Sequence, residues 1–470
     1  MRMSSRRPAS RAWPRPSGLL PALVAGTALL SIPALPEGPV SPALLAQEGP
    51  PRGDSLEVLA AEAAENHPEV RTALRRAEAA RARVPQAGTL PDPMLFAGLM
   101  NLPLSDPSLS RDGMTMFSLE LEQRLPPRGL RAAREAAYQA ELQAALTRVE
   151  VTRWSVTTRL REAYYELLLV DEAVAVHHRT HAALEALARS AEAAFRQGLA
   201  PQADVLRAHT ELAAIDEHLS ELRQRRSTAL AQVNTLLGRE TRSPVDPVVP
   251  DRLSTLLGSE PDPGFLAAAV VGVELGPGYP TLAELEEAAL VNRPELALAR
   301  HQAEAARHRE EAAIRDRRPG ISVMGGYGFR SARSDMISLG LSIDLPLFRS
   351  RKQDQAVVEA EEELRAQELE AEVTARSVRR EVAAAHAALV RAREKLLLLD
   401  EAVIPQARAT VESREALYRA GQGDFTGLMQ AQTMLFRSEI ERAHLTAELG
   451  QALARLERAL GTELTREEVR

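Results

Sequence analysis

Three sets of side chains in this 470-residue chain have types and spacings that could do chemistry. His181 follows His177 by four residues and His178 by three, so the imidazoles can share one helical face and suit a metal ion. A solvated helix surface explains the trio more simply. Met94, Met100, Met114, Met116, Met324 and Met336 concentrate in two short stretches, and soft thioethers can contact Cu(I). Packing or lipid contact is the plainer account of them. Asp204 and Asp424 each follow a sharp turn. Symmetry copies of either would make an acidic ring that selects cations, whereas a single copy need only cap or charge a helix start. There is no Walker A loop, zinc-protease helix, nucleophile elbow or dinucleotide fingerprint, and no cysteine. The expectation is therefore no enzyme, no cofactor and no metal site, with energy supplied by a partner.

The elements that carry these residues are mostly long helices. Ala, Glu, Leu and Arg dominate, aromatics are only 3%, and such a composition suits helices packed through small residues. The N-terminus holds Arg2, Arg6, Arg7, Arg11 and Arg15, then an apolar run from Gly18 to about Leu35 and small residues up to Ala46. That pattern predicts a secretory signal peptide over 1–46. Its removal would change the formal charge from −7 to −11, so nucleic acid is a poor partner. No later stretch is apolar enough for a transmembrane helix.

Along the chain, helix is expected from Ser55 to Val84, ended by Pro85, Gly88, Pro91 and Pro93. Met94–Leu104 and Met114–Leu125 form a candidate hairpin (94–125) around a polar loop. Within it Phe117, Leu119 and Leu121 alternate with Ser118, Glu120 and Glu122, the period of a strand. A long helix over 129–197 follows. Its seam of Leu146, Val149, Val156, Leu160, Ala163, Leu167, Val170 and Val174 has coiled-coil spacing. Gly198 to Pro201 breaks it, and a return helix over 202–237 makes an antiparallel pair. Residues 241–280 hold seven Pro and five Gly and read as a linker. Helix then returns, followed by a second hairpin over 321–346. There Ile337, Leu339, Leu341 and Ile343 alternate with Ser338, Gly340, Ser342 and Asp344. A second long helix over 349–420, kinked by Pro405, breaks at Gly421 to Gly423 and returns over 424–460.

These pieces are a duplication. Asn66-His67-Pro68-Glu69 matches Asn292-Arg293-Pro294-Glu295 at an offset of 226, and Leu119-Glu120-Leu121 matches Leu339-Gly340-Leu341 at 220. Phe195-Arg196-Gln197-Gly198 matches Tyr418-Arg419-Ala420-Gly421, and Leu237-Gly238 matches Leu460-Gly461, both at 223. The chain thus divides into a first repeat over 47–240, the linker, a second repeat over 281–463 and a tail over 464–470. Each repeat reads helix, β-hairpin, very long helix, tight turn, helix. The strands have membrane-crossing length, yet four are too few to close a barrel. Several chains must share one, and the strand count alone leaves dimer, trimer and tetramer open. Phe117, Leu119, Leu121, Leu339, Leu341 and Ile343 are expected to face lipid, with Ser342 and Asp344 toward the lumen. Phe96, Phe117, Tyr327, Phe329 and Phe348 are available for an aromatic girdle. A periplasmic adaptor or structural coiled-coil protein is the alternative from another class.

With these motifs in order and duplicated, the chain resembles the TolC family of outer-membrane efflux proteins from about residue 55 to 462. The resemblance implies a mainly α fold with a small β part. In a homotrimer it gives a 12-strand outer-membrane β-barrel above a periplasmic α-barrel, with an equatorial region for which 241–280 is a candidate. It also implies a passive exit duct of a tripartite efflux system. Its partners would be an inner-membrane transporter, a periplasmic adaptor at the helix tips, and outer-membrane lipid of a Gram-negative bacterium. Gly198, Leu199, Asp204, Gly421, Gly423 and Asp424 then belong to the aperture and docking tips. The Asp pair that closes well-known members is matched here by Gly427 and Gln430. The segment Leu90-Pro91-Asp92-Pro93-Met94 is more similar to the heavy-metal efflux branch, which implies metal cations as cargo.

Overall fold

Both halves open on the same punctuation. α1 (Leu56–Asn66) stops at His67, and α2 (Pro68–Gly88) restarts on Pro68. α5 (Leu282–Asn292) stops at Arg293, and α6 (Pro294–Arg315) restarts on Pro294. Proline suits the first helical position because its missing N–H would have no partner there. It also drives the preceding residue to extended backbone, and His67 (ψ 134°) and Arg293 (ψ 118°) are both extended. The glutamate that follows is held by an arginine each time. Arg159 Nη2 donates to Glu69 at 2.6 Å and Arg293 Nε to Glu295 at 2.7 Å. One expectation is corrected here, because α2 runs through Pro85 to Gly88. In an exposed last turn water can take the carbonyl that Pro85 cannot serve.

The computed structural model describes residues 55–105, 107–250, 253, 280–331 and 333–464. The expected signal segment, most of the 241–280 linker and nearly all of the tail lie outside them. β1 (Met94–Met100), β2 (Met116–Leu125), β3 (Ile321–Phe329) and β4 (Met336–Ile343) form one antiparallel sheet in that order. β1 is shorter than the expected stretch to Leu104. Asn101, at φ 54°, turns the backbone out of the strand, and Pro103 has no N–H for a ladder.

Each hairpin feeds a long helix. α3 (Leu130–Arg196) has 67 residues, about 100 Å at helical rise. α4 (Gln202–Leu237) returns beside it. In the second half α7 (Gln353–Leu398), a π turn (Leu399–Val403) and α8 (Ile404–Arg419) together match α3 in length, and α9 (Phe425–Leu460) returns. The expected single helix from Arg349 therefore starts four residues later and is interrupted. Pro405 offers no N–H to the Glu401 carbonyl and crowds it. Widening to i→i+5 bonds in the preceding turn accommodates that loss. Arg442 Nε reaches Asp400 at 2.6 Å and ties the widened turn to α9.

The core is divided among three levels. Next to the sheet, α3 presents Ala133, Ala137, Ala140 and Ala144, all buried, so α2 and α6 pack close. Midway lies the largest cluster, built from Val156, Leu160 and Leu167 of α3, Val382 and Leu389 of α7, and Leu449 and Leu456 of α9. At the far end Leu184, Ala191, Ala208, Ile215, Phe425 and Leu428 form a separate core. The middle level also holds buried ions. Arg161 donates to Glu457 at 2.6 Å and to Glu463 at 2.5 Å, while Arg293 joins Glu295, Glu381 and the Arg458 carbonyl. Arg161 and Glu457 are 9% and 3% exposed, so removing one partner would strand a charge. Tyr164 Oη donates to the Val248 carbonyl and accepts from its N–H, pinning the strap after α4.

Leu160 is fully buried in the middle level. Leu160→Ala should therefore lower stability by about 2–5 kcal/mol. Urea unfolding followed by circular dichroism checks this, and a change below about 1 kcal/mol would contradict the placement.

Candidate functional site

The register sorts every strand residue onto one of two faces. On one, Leu95, Leu121, Gly325 and Leu339 lie in a row, followed by Ala97, Leu119, Tyr327 and Ile337. On the other, Phe96, Glu120, Gly326 and Ser338 share a row, as do Arg124, Ser322 and Ser342. The first face is apolar and bare, with Leu339 87%, Ile337 76% and Leu341 66% exposed. On the second, Ser118 and Ser322 are 3% and 8% exposed. A water-soluble sheet would do the reverse. An apolar face of this kind suits lipid, and the polar face suits an aqueous interior. Tyr327 packs on Phe329 at 4.6 Å, and Phe117 lies 6.4 Å from Phe329, giving an aromatic band near the hairpin loops. Phe96 does not join it, because its parity places it opposite Glu120 on the polar face. Arg124 pairs with Asp344 at 3.0 Å across β3 on that face.

β1 and β4 end the sheet, and each leaves one side without a strand in the single chain. Hydrocarbon offers no partner to such edges, so the sheet has to be continued by others. Where it meets the helices, Arg124, Arg134, Arg318 and Lys352 share a cavity of about 730 Å³ with Asp316 and Asp344.

At the other end, both turns use one backbone device. Gly198 (φ 73°) and Gly421 (φ 68°) enter the left-handed region that glycine tolerates best. The Gly198 N–H bonds the Phe195 carbonyl, and the Leu199 N–H the Ala194 carbonyl. Gly421 and Gln422 repeat this with Tyr418 and Leu417, the bonding that seals a helix C-terminus. A Cβ on Gly423 would press on the Tyr418 and Leu417 backbone. Leu199 is 77% exposed. Asp424 caps α9, accepting from the Gly427 N–H at 2.8 Å, and Asp204 sits in the first turn of α4. Arg207 donates to Thr426 at 2.8 Å and links the two helix starts. Gln430 lines a groove of about 470 Å³ between α4 and α9 with Arg207, Met429 and Met434. Burial holds the Asp204 carboxyl above the usual range, with Arg207 opposing and Asp424 reinforcing.

The histidine trio does not converge, and it is not the plain solvated surface the sequence suggests. His177 is buried, bonded to the Ala173 carbonyl at 2.7 Å, with its ring edge-on to Phe436 at 5.0 Å and 6.0 Å from His218. Burial lowers its pKa. His178 is exposed, and His181 reaches Asp216 at 3.5 Å. Among the described residues no cluster of three His, Cys, Asp or Glu could hold a metal ion, and no helix is long and apolar enough to cross a membrane.

A bare apolar sheet that cannot close alone, carried on helices about 100 Å long, defines a duct of the outer membrane. The chain belongs to the outer membrane efflux protein family, whose model matches residues 59–239 and 285–462. It is an outer-membrane efflux channel that extends into the periplasm. Solved structures share its fold. The outer-membrane channel OprN is 21% identical, with a TM-score of 0.70 over 86% of this chain and 89% of that one. CusC, described in terms of transmembrane channel formation, is 17% identical, with a TM-score of 0.72 over 87% and 93%. VceC from Vibrio cholerae is 16% identical, with a TM-score of 0.70 over 87% and 96%. No curated protein matches the chain.

The α4 N-terminus favours a negative charge, but burial beside Asp424 outweighs it at Asp204. A carboxyl with a raised pKa binds its proton more tightly folded than unfolded. Its charge therefore opposes folding at neutral pH, and that opposition fades as pH falls through the raised pKa. Asp204→Asn should slow amide exchange around 198–207 at pH 7, with the gain vanishing below about pH 4. Hydrogen–deuterium exchange at both pH values checks this, and equal protection at pH 7 would contradict it.

Proposed function

We propose that three copies of this chain close one barrel and form the exit duct of a tripartite pump. The bare, open-edged sheet carries this reading. Four strands per chain fall short of the eight that make the smallest bacterial barrel, and three copies supply twelve. Phe117, Leu119, Leu121, Leu339, Leu341 and Ile343 face lipid, while Glu120, Glu122, Ser342 and Asp344 face water. The repeats 47–240 and 281–463 each contribute one hairpin and one helical pair, so the tube beneath has a near-sixfold wall.

Gly198, Leu199, Asp204, Gly421, Gly423, Asp424, Gly427 and Gln430 form the periplasmic tips, where a periplasmic adaptor docks and an inner-membrane transporter supplies the energy. Two sealed turns of identical bonding, one with Leu199 bare, suit a repeated docking surface. Conduction is passive and needs no catalytic group. Heavy-metal cations are the proposed cargo. Gly427 and Gln430 stand where an acidic pair would otherwise narrow the aperture, so its charge rests on Asp204 and Asp424.

Native mass spectrometry of detergent-solubilised protein from outer membranes should show a trimer, and a water-soluble monomer would sink the proposal. Leu341→Arg puts a charge in hydrocarbon at about 2–4 kcal/mol near the midplane. It should cut the yield of assembled trimer well below that of Ser342→Arg, and equal yields would reverse the assignment of faces.

A further inference from the structure

The methionines are distributed in a way that packing does not explain. Met1 and Met3 aside, the chain has eight, six in the hairpins and two, Met429 and Met434, at the tip groove. None lies in the middle core or the Ala-lined level. Methionine is the usual filler of irregular apolar gaps, yet of these eight only Met429 is buried in an apolar core, at the tip.

Their parity in the sheet is equally selective. Met94, Met100, Met116, Met324 and Met336 all fall on the polar face. Of the two plainer accounts, lipid contact and packing, the first would need the apolar face, and these five lie on the other. They make two tiers. In the lower, Met94 and Met324 are the register partners of Glu122 on either side, so thioether, carboxylate and thioether follow one another across three strands. Adjacent strands lie about 4.8 Å apart, within reach of side chains with three torsions. In the upper tier, Met100 faces Met116, and the Met116 sulfur lies over Gly328, the partner of Met336. Met324 likewise lies over Gly340. A Cβ at either glycine would collide with the thioether it now carries. Met94 is 64% exposed on a face it shares with Phe96, Ser118, Glu120, Glu122 and Arg124.

We propose that the two thioether tiers are binding stations for a soft monovalent d¹⁰ cation, Cu(I) or Ag(I), inside the barrel. Thioether sulfur selects such ions over harder divalent ones, and Glu122 balances their charge. A neutral ligand set binds without releasing a proton, and several weak stations in series suit an ion that must also leave. This rests on the reading of the polar face as the lumen, and it narrows the cargo to the soft end of the metals. β1 and β4 are the sheet's two edges, so closure with further copies would bring Met100 and Met336 to adjoining edges.

The test uses full-length protein in proteoliposomes, with silver nitrate as probe in chloride-free buffer. Equilibrium dialysis read by elemental mass spectrometry should give at least one Ag(I) per chain, little affected by excess Zn(II). Met94→Leu with Met324→Leu, or Met100→Leu with Met116→Leu, should each weaken it at least about tenfold, since even outer-shell changes at metal sites cost about 10–100-fold. Gly328→Ala, which keeps every thioether but displaces Met116, should weaken the upper station alone. The silver absorption edge of the wild-type protein should show sulfur neighbours. An oxygen and nitrogen shell, or uptake unchanged with all four methionines replaced, overturns the proposal. Potassium nitrate conductance is measured on the same vesicles. Conduction without silver uptake refutes the stations and leaves the duct standing, whereas uptake without conduction refutes the duct instead.

Discussion

An unpaired backbone group has nowhere to go in hydrocarbon. Each N–H and C=O along a free strand edge would cost several kcal/mol there, and this chain ends its sheet on two such edges. Everything else follows from that constraint. Neighbouring copies have to supply the missing ladders, so the strands have to stand in a ring. A ring has an inside, and the polar parity of the strands provides a wet one. The helices below inherit the same circular arrangement, because α3 and α7 each follow a strand that is already placed.

The helical part meets a different demand, which is to stay slender over a great length. The three core levels meet it in different ways. Beside the sheet, alanines bring backbones together and bulk is kept low. In the middle, larger side chains and the Arg161–Glu457–Glu463 group fix α3 of the first repeat against the end of the second, while the Arg293–Glu295–Glu381 group ties α6 to α7 within the second. Such buried ion groups contribute little net stability. Arg161–Glu457 and Arg293–Glu381 join residues far apart in the chain, so these bonds specify which helices meet. At the tip, a small apolar core and two sealed turns finish the wall.

Much of the fold class was legible because it is periodic. Val156, Leu160, Ala163, Leu167 and Val170 follow a coiled-coil spacing, and all five are buried. Leu339 and Leu341 alternate with polar residues and are bare on one face. What periodicity could not resolve depended on partners remote in sequence. β1 reads Met-Leu-Phe-Ala-Gly-Leu-Met, apolar on both parities, so only its register with Glu120 and Glu122 reveals that Phe96 and Met94 lie on the polar face. His177 looked like surface because Phe436, which covers it, lies far along the chain. Pro405 announced a bend, but whether the helix would break, kink or widen depended on how the preceding turn could rearrange its bonds. The tip residues were visible as breaks, while the Arg207–Thr426 link between the repeats was not.

The widened turn before Pro405 makes the two repeats mechanically unequal. α3 runs its full length in one hydrogen-bond pattern, whereas its counterpart changes pattern between Leu399 and Val403. A rod with one altered joint bends there first. In the threefold ring proposed above, stiff and compliant staves would alternate around the wall like those of a cask with every second board scored at one height. Torque applied at the tips of such a ring would then concentrate in three scored places.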